Sequence, residues 1–110
     1  MKGEVLLYYE IEDANKLRVT LAFTPKYDMV RYGLRVPVVK EDVSCKWYGR
    51  GPGESYFDRK NATRFGVFQA KVDEIYHPYA RPAENSSHTD ISALVLSNKD
   101  GGNIKITRDE

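Results

Sequence analysis

Between Trp47 and Lys60 the chain reads WYGRGPGESYFDRK. Gly49, Gly51 and Gly53 fall within five residues together with Pro52. Such a density of glycine and proline predicts a sharp backbone turn that neither a regular helix nor a strand can cross. Around it stand the aromatics Trp47, Tyr48, Tyr56 and Phe57 and the charges Arg50, Glu54, Asp58, Arg59 and Lys60. Ordering such a loop costs conformational entropy, so the stretch is expected to pack against something or to bind something.

The rest of the chain reads as strands. Val5, Leu7, Tyr9 and Ile11 alternate with Leu6, Tyr8, Glu10 and Glu12, the period of two expected for a strand with one well-buried face. After a turn at Asp13-Ala14-Asn15, Leu17, Val19, Leu21 and Phe23 repeat the alternation, which predicts an antiparallel hairpin. Pro25 ends it, and Met29 and Val30 in the connection are expected to dip into a core. Gly33 to Val39 alternates again, with Pro37 restricting it to an edge strand or a strand end. Val43, Cys45 and Trp47 share one face of the next strand, which makes Trp47 a core anchor beneath the glycine stretch rather than an exposed sugar platform. A strand from Phe65 to Val72 follows, with Val67 or Phe68 meeting the core. Residues Ile91 to Leu96 and Ile104 to Ile106 flank Asn98-Lys99-Asp100-Gly101-Gly102, a second hairpin signal. Seven strands in two antiparallel sheets describe an all-β sandwich.

Composition removes several functional classes. One domain of 110 residues buries roughly two thirds of its unfolded surface. Net charge is +1 with acids and bases interspersed, so there is no electrostatic case for nucleic acid or an anionic membrane. No apolar run reaches the length of a membrane span, and the acids among residues 1–12 do not suit a secretory signal. A cytoplasmic location is therefore expected, with a periplasmic or secreted one left open. A single cysteine, Cys45, excludes an internal disulfide. His77 and His88 have no second ligand at metal spacing, so neither metal nor cofactor is expected.

Two stretches carry a family resemblance. Trp47 to Arg59 resembles the W-x-G-x-G-P-x-E-x-Y-x-D-R signature of the small-chain domain of large β-galactosidases, glycoside hydrolases of family 2. Ile75 to Asp90 resembles the same domain's Y-x-P-Y-x-R-P-x-E-N-x-x-x-T-D segment. The resemblance implies the central portion of a galactose mutarotase-like supersandwich, well over twice this length when whole. It implies that the chain stops before the late segment that brings a tryptophan to the sugar site. It also implies that the catalytic carboxylates lie in a separate barrel, so no catalytic residue is expected here. The partner is then the remainder of the parent β-galactosidase, with a galactoside substrate possible and a homodimer through exposed sheet edges.

The candidate carbohydrate-binding or interface residues are Arg50, Glu54, Tyr56, Arg59, Arg81, Glu84, Asn85 and His88. Carboxylate and amide groups are bidentate partners for sugar hydroxyls, with Arg81 to brace them, but the favoured reading has Arg81 and Glu84 satisfying one another and nearby loop backbone. Glu54 and Asp58, four residues apart among cations, read as neutralised structural carboxylates rather than an acid/base pair. A nucleotide cradle is disfavoured because Pro52 removes an amide and no amphipathic helix follows. A stand-alone carbohydrate-binding module is the alternative. An aldose epimerase-like protein, with His77 or His88 and Glu84 as acid and base, rests on fold analogy alone.

Overall fold

A computed structural model describes residues 4–29, 31–38, 42–81 and 83–108. Among the described residues the fold is all-β, in two antiparallel sheets, with one 3₁₀ turn at Val72–Glu74. Six strands occur among the described residues: β1 (Val5–Asp13), β2 (Lys16–Phe23), β3 (Ser44–Gly51), β4 (Arg64–Lys71), β5 (Ala93–Ser97) and β6 (Asn103–Thr107). The chain divides into two compact units, Met1–Pro37 and Val38–Glu110. No helix among the described residues is long and apolar enough to cross a membrane.

The first unit is the predicted hairpin. β1 pairs with β2 from Val5↔Phe23 to Ile11↔Leu17, after which the register slips to Asp13↔Lys16. Asp13 Oδ1 accepts the Asn15 N–H at 2.8 Å, the side-chain-to-backbone bond that suits aspartate to turns. Glu12 sits between Lys16 at 2.8 Å and Arg18 at 2.6 Å, and the Lys16 ammonium and Arg18 hold its carboxyl below the usual range. The buried face expected of β1 is absent: all nine residues are exposed, Ile11 at 84%. A two-stranded ribbon has neither a third strand nor a second layer of its own, so alternation alone cannot shield one face.

Gly33 to Val38 forms no strand, contrary to expectation, and Leu34, Val36 and Val38 are exposed. Pro37 has no N–H to offer a ladder, and no described strand pairs with the segment. Val39 lies outside the described residues, as does Val30, while Met29 is exposed rather than in a core.

The second unit is a sheet in the order β4-β3-β5-β6, with β3 paired on both sides. Its centre is where burial concentrates. Val43, Cys45 and Trp47 are 7%, 4% and 4% exposed, and the same face continues through Gly49 and Gly51. Trp47 is thus the core anchor expected of it, packed on Phe68 of β4 with ring centroids 5.8 Å apart. Burial pushes the Cys45 thiol up.

The glycine stretch does not break the strand, contrary to the reading from composition; β3 runs through Gly49 to Gly51 and the chain turns only at Pro52. Absence of a side chain, not backbone freedom, is what the first two glycines contribute. A β-carbon at Gly49 would lie 2.8 Å from the Asp90 carbonyl oxygen and 2.9 Å from Ile91 Cα. One at Gly51 would lie 2.6 Å from the Phe68 ring. Glycine inside a strand here marks the close approach of a neighbouring backbone or ring.

β5 and β6 close the sheet through the second predicted hairpin. Asn98 Oδ1 accepts the N–H groups of Asp100 at 3.1 Å and Gly102 at 2.8 Å, and Gly101 takes the left-handed conformation with φ 87°.

Candidate functional site

The approach at Gly49 brings the two motif stretches together. Segment 86–92 runs alongside the end of β3 and the loop beyond it. Ser92 N–H donates to the Tyr48 carbonyl at 2.9 Å, Arg50 N–H to the Thr89 carbonyl at 3.4 Å and Ser55 N–H to the Ser87 carbonyl at 2.8 Å. Ser55 is completely buried. Its Oγ lies 3.0 Å from Thr89 Oγ1 and accepts the Thr89 N–H at 3.0 Å, so buried hydroxyl and backbone groups are mutually satisfied. Sequence reasoning missed Ser55. It sits at a position the signature leaves unspecified, and nothing in its type distinguishes a buried serine from a solvated one.

The charges reinforce this seam. Glu54 Oε1 accepts Arg59 Nη2 at 2.8 Å, and Oε2 accepts the Ser86 N–H at 3.0 Å. Arg59 also donates to the Tyr79 hydroxyl at 2.9 Å and lies over the Tyr56 ring, 5.0 Å from its centroid. Tyr56 and Arg59 exchange backbone hydrogen bonds of 3.0 Å, closing a tight turn that places the guanidinium. Asp90 Oδ2 accepts Arg50 Nε at 2.8 Å and Lys60 Nζ at 3.1 Å, and these two cations hold its carboxyl below the usual range. Ser86 and Asp90 have φ of 63° and 57°, a region costing a non-glycine residue about 1–2 kcal/mol. Both are gripped by side chains of the first stretch, Ser86 by Glu54 and Asp90 by Arg50 and Lys60.

Within the second stretch, Asn85 accepts the His77 N–H at 2.9 Å and donates its amide to the His77 carbonyl. Ser86 Oγ donates to the Ile75 carbonyl at 3.1 Å. His88 packs on Trp47 with centroids 4.6 Å apart, and burial lowers its pKa. Both His88 ring nitrogens and the Tyr56 hydroxyl are buried without a hydrogen-bond partner among the described residues. Tyr56, Asp58, Arg59, Tyr79, Arg81 and Glu84 line an open depression of about 690 Å³. No group of three His, Cys, Asp or Glu that could hold a metal occurs among the described residues.

A profile of the beta galactosidase small chain matches residues 1–109. The chain belongs to the beta-galactosidase small-chain family. It is 34% identical over 96% of its length to a beta-galactosidase of Kluyveromyces lactis and 30% identical over 93% to one of Lactobacillus delbrueckii subsp. bulgaricus. A beta-galactosidase of Pseudoalteromonas haloplanktis is 39% identical over 64% of the chain. The chain spans 11%, 10% and 7% of these relatives.

The two signature stretches of this small-chain family member therefore form one interlocked unit. Of the eight candidates, Glu54, Arg59, Asn85 and Arg50 make side-chain hydrogen bonds to other residues of the chain, Tyr56 and His88 make ring contacts, and Glu84 also has a partner within the chain. Tyr56, Arg59, Arg81 and Glu84 meet at the depression, with Arg81 and Glu84 exposed. Arg50 and His88 lie at the β3 side, Arg50 with its guanidinium 4.5 Å above the Phe65 ring.

Proposed function

We propose that the chain is a non-catalytic part of a beta-galactosidase whose interlocked motif loops brace the galactoside cleft of the complete enzyme. The barrel that performs hydrolysis and the remaining strands of the sandwich belong to the rest of that enzyme, in the cytoplasm. What carries the reading is Glu54. Its two oxygens join Arg59 in the first loop to the Ser86 backbone in the second. A carboxylate so engaged is a strut, and neither it nor Asp90, held by two cations, is available as a general acid or base. The exposed Arg81 and Glu84, with Tyr79, supply the rim that faces the cleft or the barrel.

The test uses the complete beta-galactosidase. Glu54→Ala there lowers thermal stability and kcat/KM together, because the rim is displaced. Glu84→Ala alters KM. Unchanged stability and kinetics in both variants would remove the proposed role.

A further inference from the structure

His88 is the one described group in the seam whose charge can change near neutral pH while its titrating nitrogens are buried. The imidazole lies on the Trp47 indole at 4.6 Å, with an interplanar angle of 48°. Both ring nitrogens are buried and lack partners among the described residues. A neutral imidazole tolerates that position at the cost of lost hydrogen bonds; an imidazolium there is a half-buried cation that the Arg50 backbone and Glu54 compensate only in part.

We propose that protonation of His88 is an acid-operated latch, releasing segment 84–90 from the glycine-lined end of β3 while the sheet stays folded. The charged groups around the ring leave it to titrate first. On the first loop, Glu54 attracts the charged ring, but its oxygens are already engaged by Arg59 and Ser86. On β3, the Arg50 backbone also favours the charged ring, its carbonyl being shared with Trp47 Nε1, which it accepts at 3.0 Å. The Arg50 guanidinium faces Asp90, as does Lys60 of the loop. On β4, Arg64 lies over Phe68, 5.5 Å from the centroid of the ring that packs on Trp47. On the segment itself, Asp90 is held ionised well below the pH at which histidine charges. Burial outweighs the opposing pull of the Arg50 backbone and Glu54 and depresses the His88 pKa. Segment 84–90 contains no strand and is held by backbone bonds from Arg50 and Ser55 and by side-chain bonds to Arg50, Glu54, Ser55 and Lys60, none of which belongs to the ladders β3 makes with β4 and β5, so it can open without dismantling them. The latch depends on the fold alone, whether or not the proposed function holds.

Trp47 is the only tryptophan, so its emission reports the latch directly. Titrating the chain downward from about pH 7.5 is expected to give a step below about pH 6.5, with the emission moving to the red, while far-ultraviolet circular dichroism holds constant. His88→Gln, which cannot charge in this range, is expected to abolish the step. The same step in His88→Gln, no step in the native chain, or collapse of the circular dichroism at the same midpoint would each overturn the latch. Hydrogen exchange of the native chain covers the case in which His88→Gln fails to fold. Residues 84–90 are expected to lose protection on acidification while 44–51 retain theirs; loss in both or in neither overturns the proposal.

Discussion

At the scale of single residues, the glycines of the first motif act through space rather than through backbone freedom. Gly49→Ala drives a methyl into the Asp90 and Ile91 backbone and is expected to destabilise the chain by about 1–3 kcal/mol in urea unfolding. Gly53 has open space where a β-carbon would sit and does not occupy the left-handed region. Gly53→Ala should therefore change stability by less than about 0.5 kcal/mol. Glu54→Ala leaves the Ser86 N–H and the Arg59 guanidinium without their acceptor, for an expected loss of about 1–3 kcal/mol and roughly 4–8 °C in Tm per kcal/mol. Two titrations belong at this scale. Asp90 has a depressed folded pKa, so its contribution is complete above its unfolded value near 3.8 and is lost as pH falls below that. His88 acts at higher pH: the unfolded chain takes up a proton that the folded chain resists, so stability declines as pH falls below about 6.5. Unfolding curves at a series of pH values should show the upper of these two declines vanish in His88→Gln and the lower one shrink in Asp90→Asn, with Glu12, whose carboxyl is also depressed, supplying part of what remains.

At the scale of elements, the sequence was most legible where local chemistry decides the outcome. Asp13 and Asn98 cap their turns with their own side chains, and both hairpins form where the turn residues place them. It was least legible where an element depends on distant partners. Gly33–Val38 has the alternation of a strand and no described ladder to join. β1 alternates and buries nothing. β3 crosses two glycines because segment 86–92 and Phe68 fill the space that side chains would need, a fact no window of sequence around Gly49 contains. For the site, charge pairing within a stretch was readable, Glu54 with Arg59 being five residues apart. The contacts across stretches, Ser55 with Thr89 and Glu54 with Ser86, depend on the fold. Amide exchange should follow the same division. β3, paired on both sides, is expected to be the slowest element to exchange and the β1–β2 hairpin the fastest. Equal protection in both would show that the hairpin has a covering its own exposure does not reveal.

At the scale of the whole molecule, a chain spanning about a tenth of its relatives has edges at β4 and β6 that no described strand pairs, and many exposed apolar side chains, among them Tyr48, Phe65 and Val67. Unpaired edges of this kind favour strand addition, and a dimeric mass by size exclusion with light scattering is the expected result for the isolated chain. A monomer at all concentrations would exclude self-pairing. The two motif stretches are held to satisfy each other as a brace, without by themselves making a sugar site. Isothermal titration of the chain with galactose and with lactose puts that to the test, and no saturable heat is expected with either sugar. Saturable binding at millimolar concentration or tighter, abolished by Arg81→Ala, would contradict it and make the depression beside Tyr79 a working carbohydrate site.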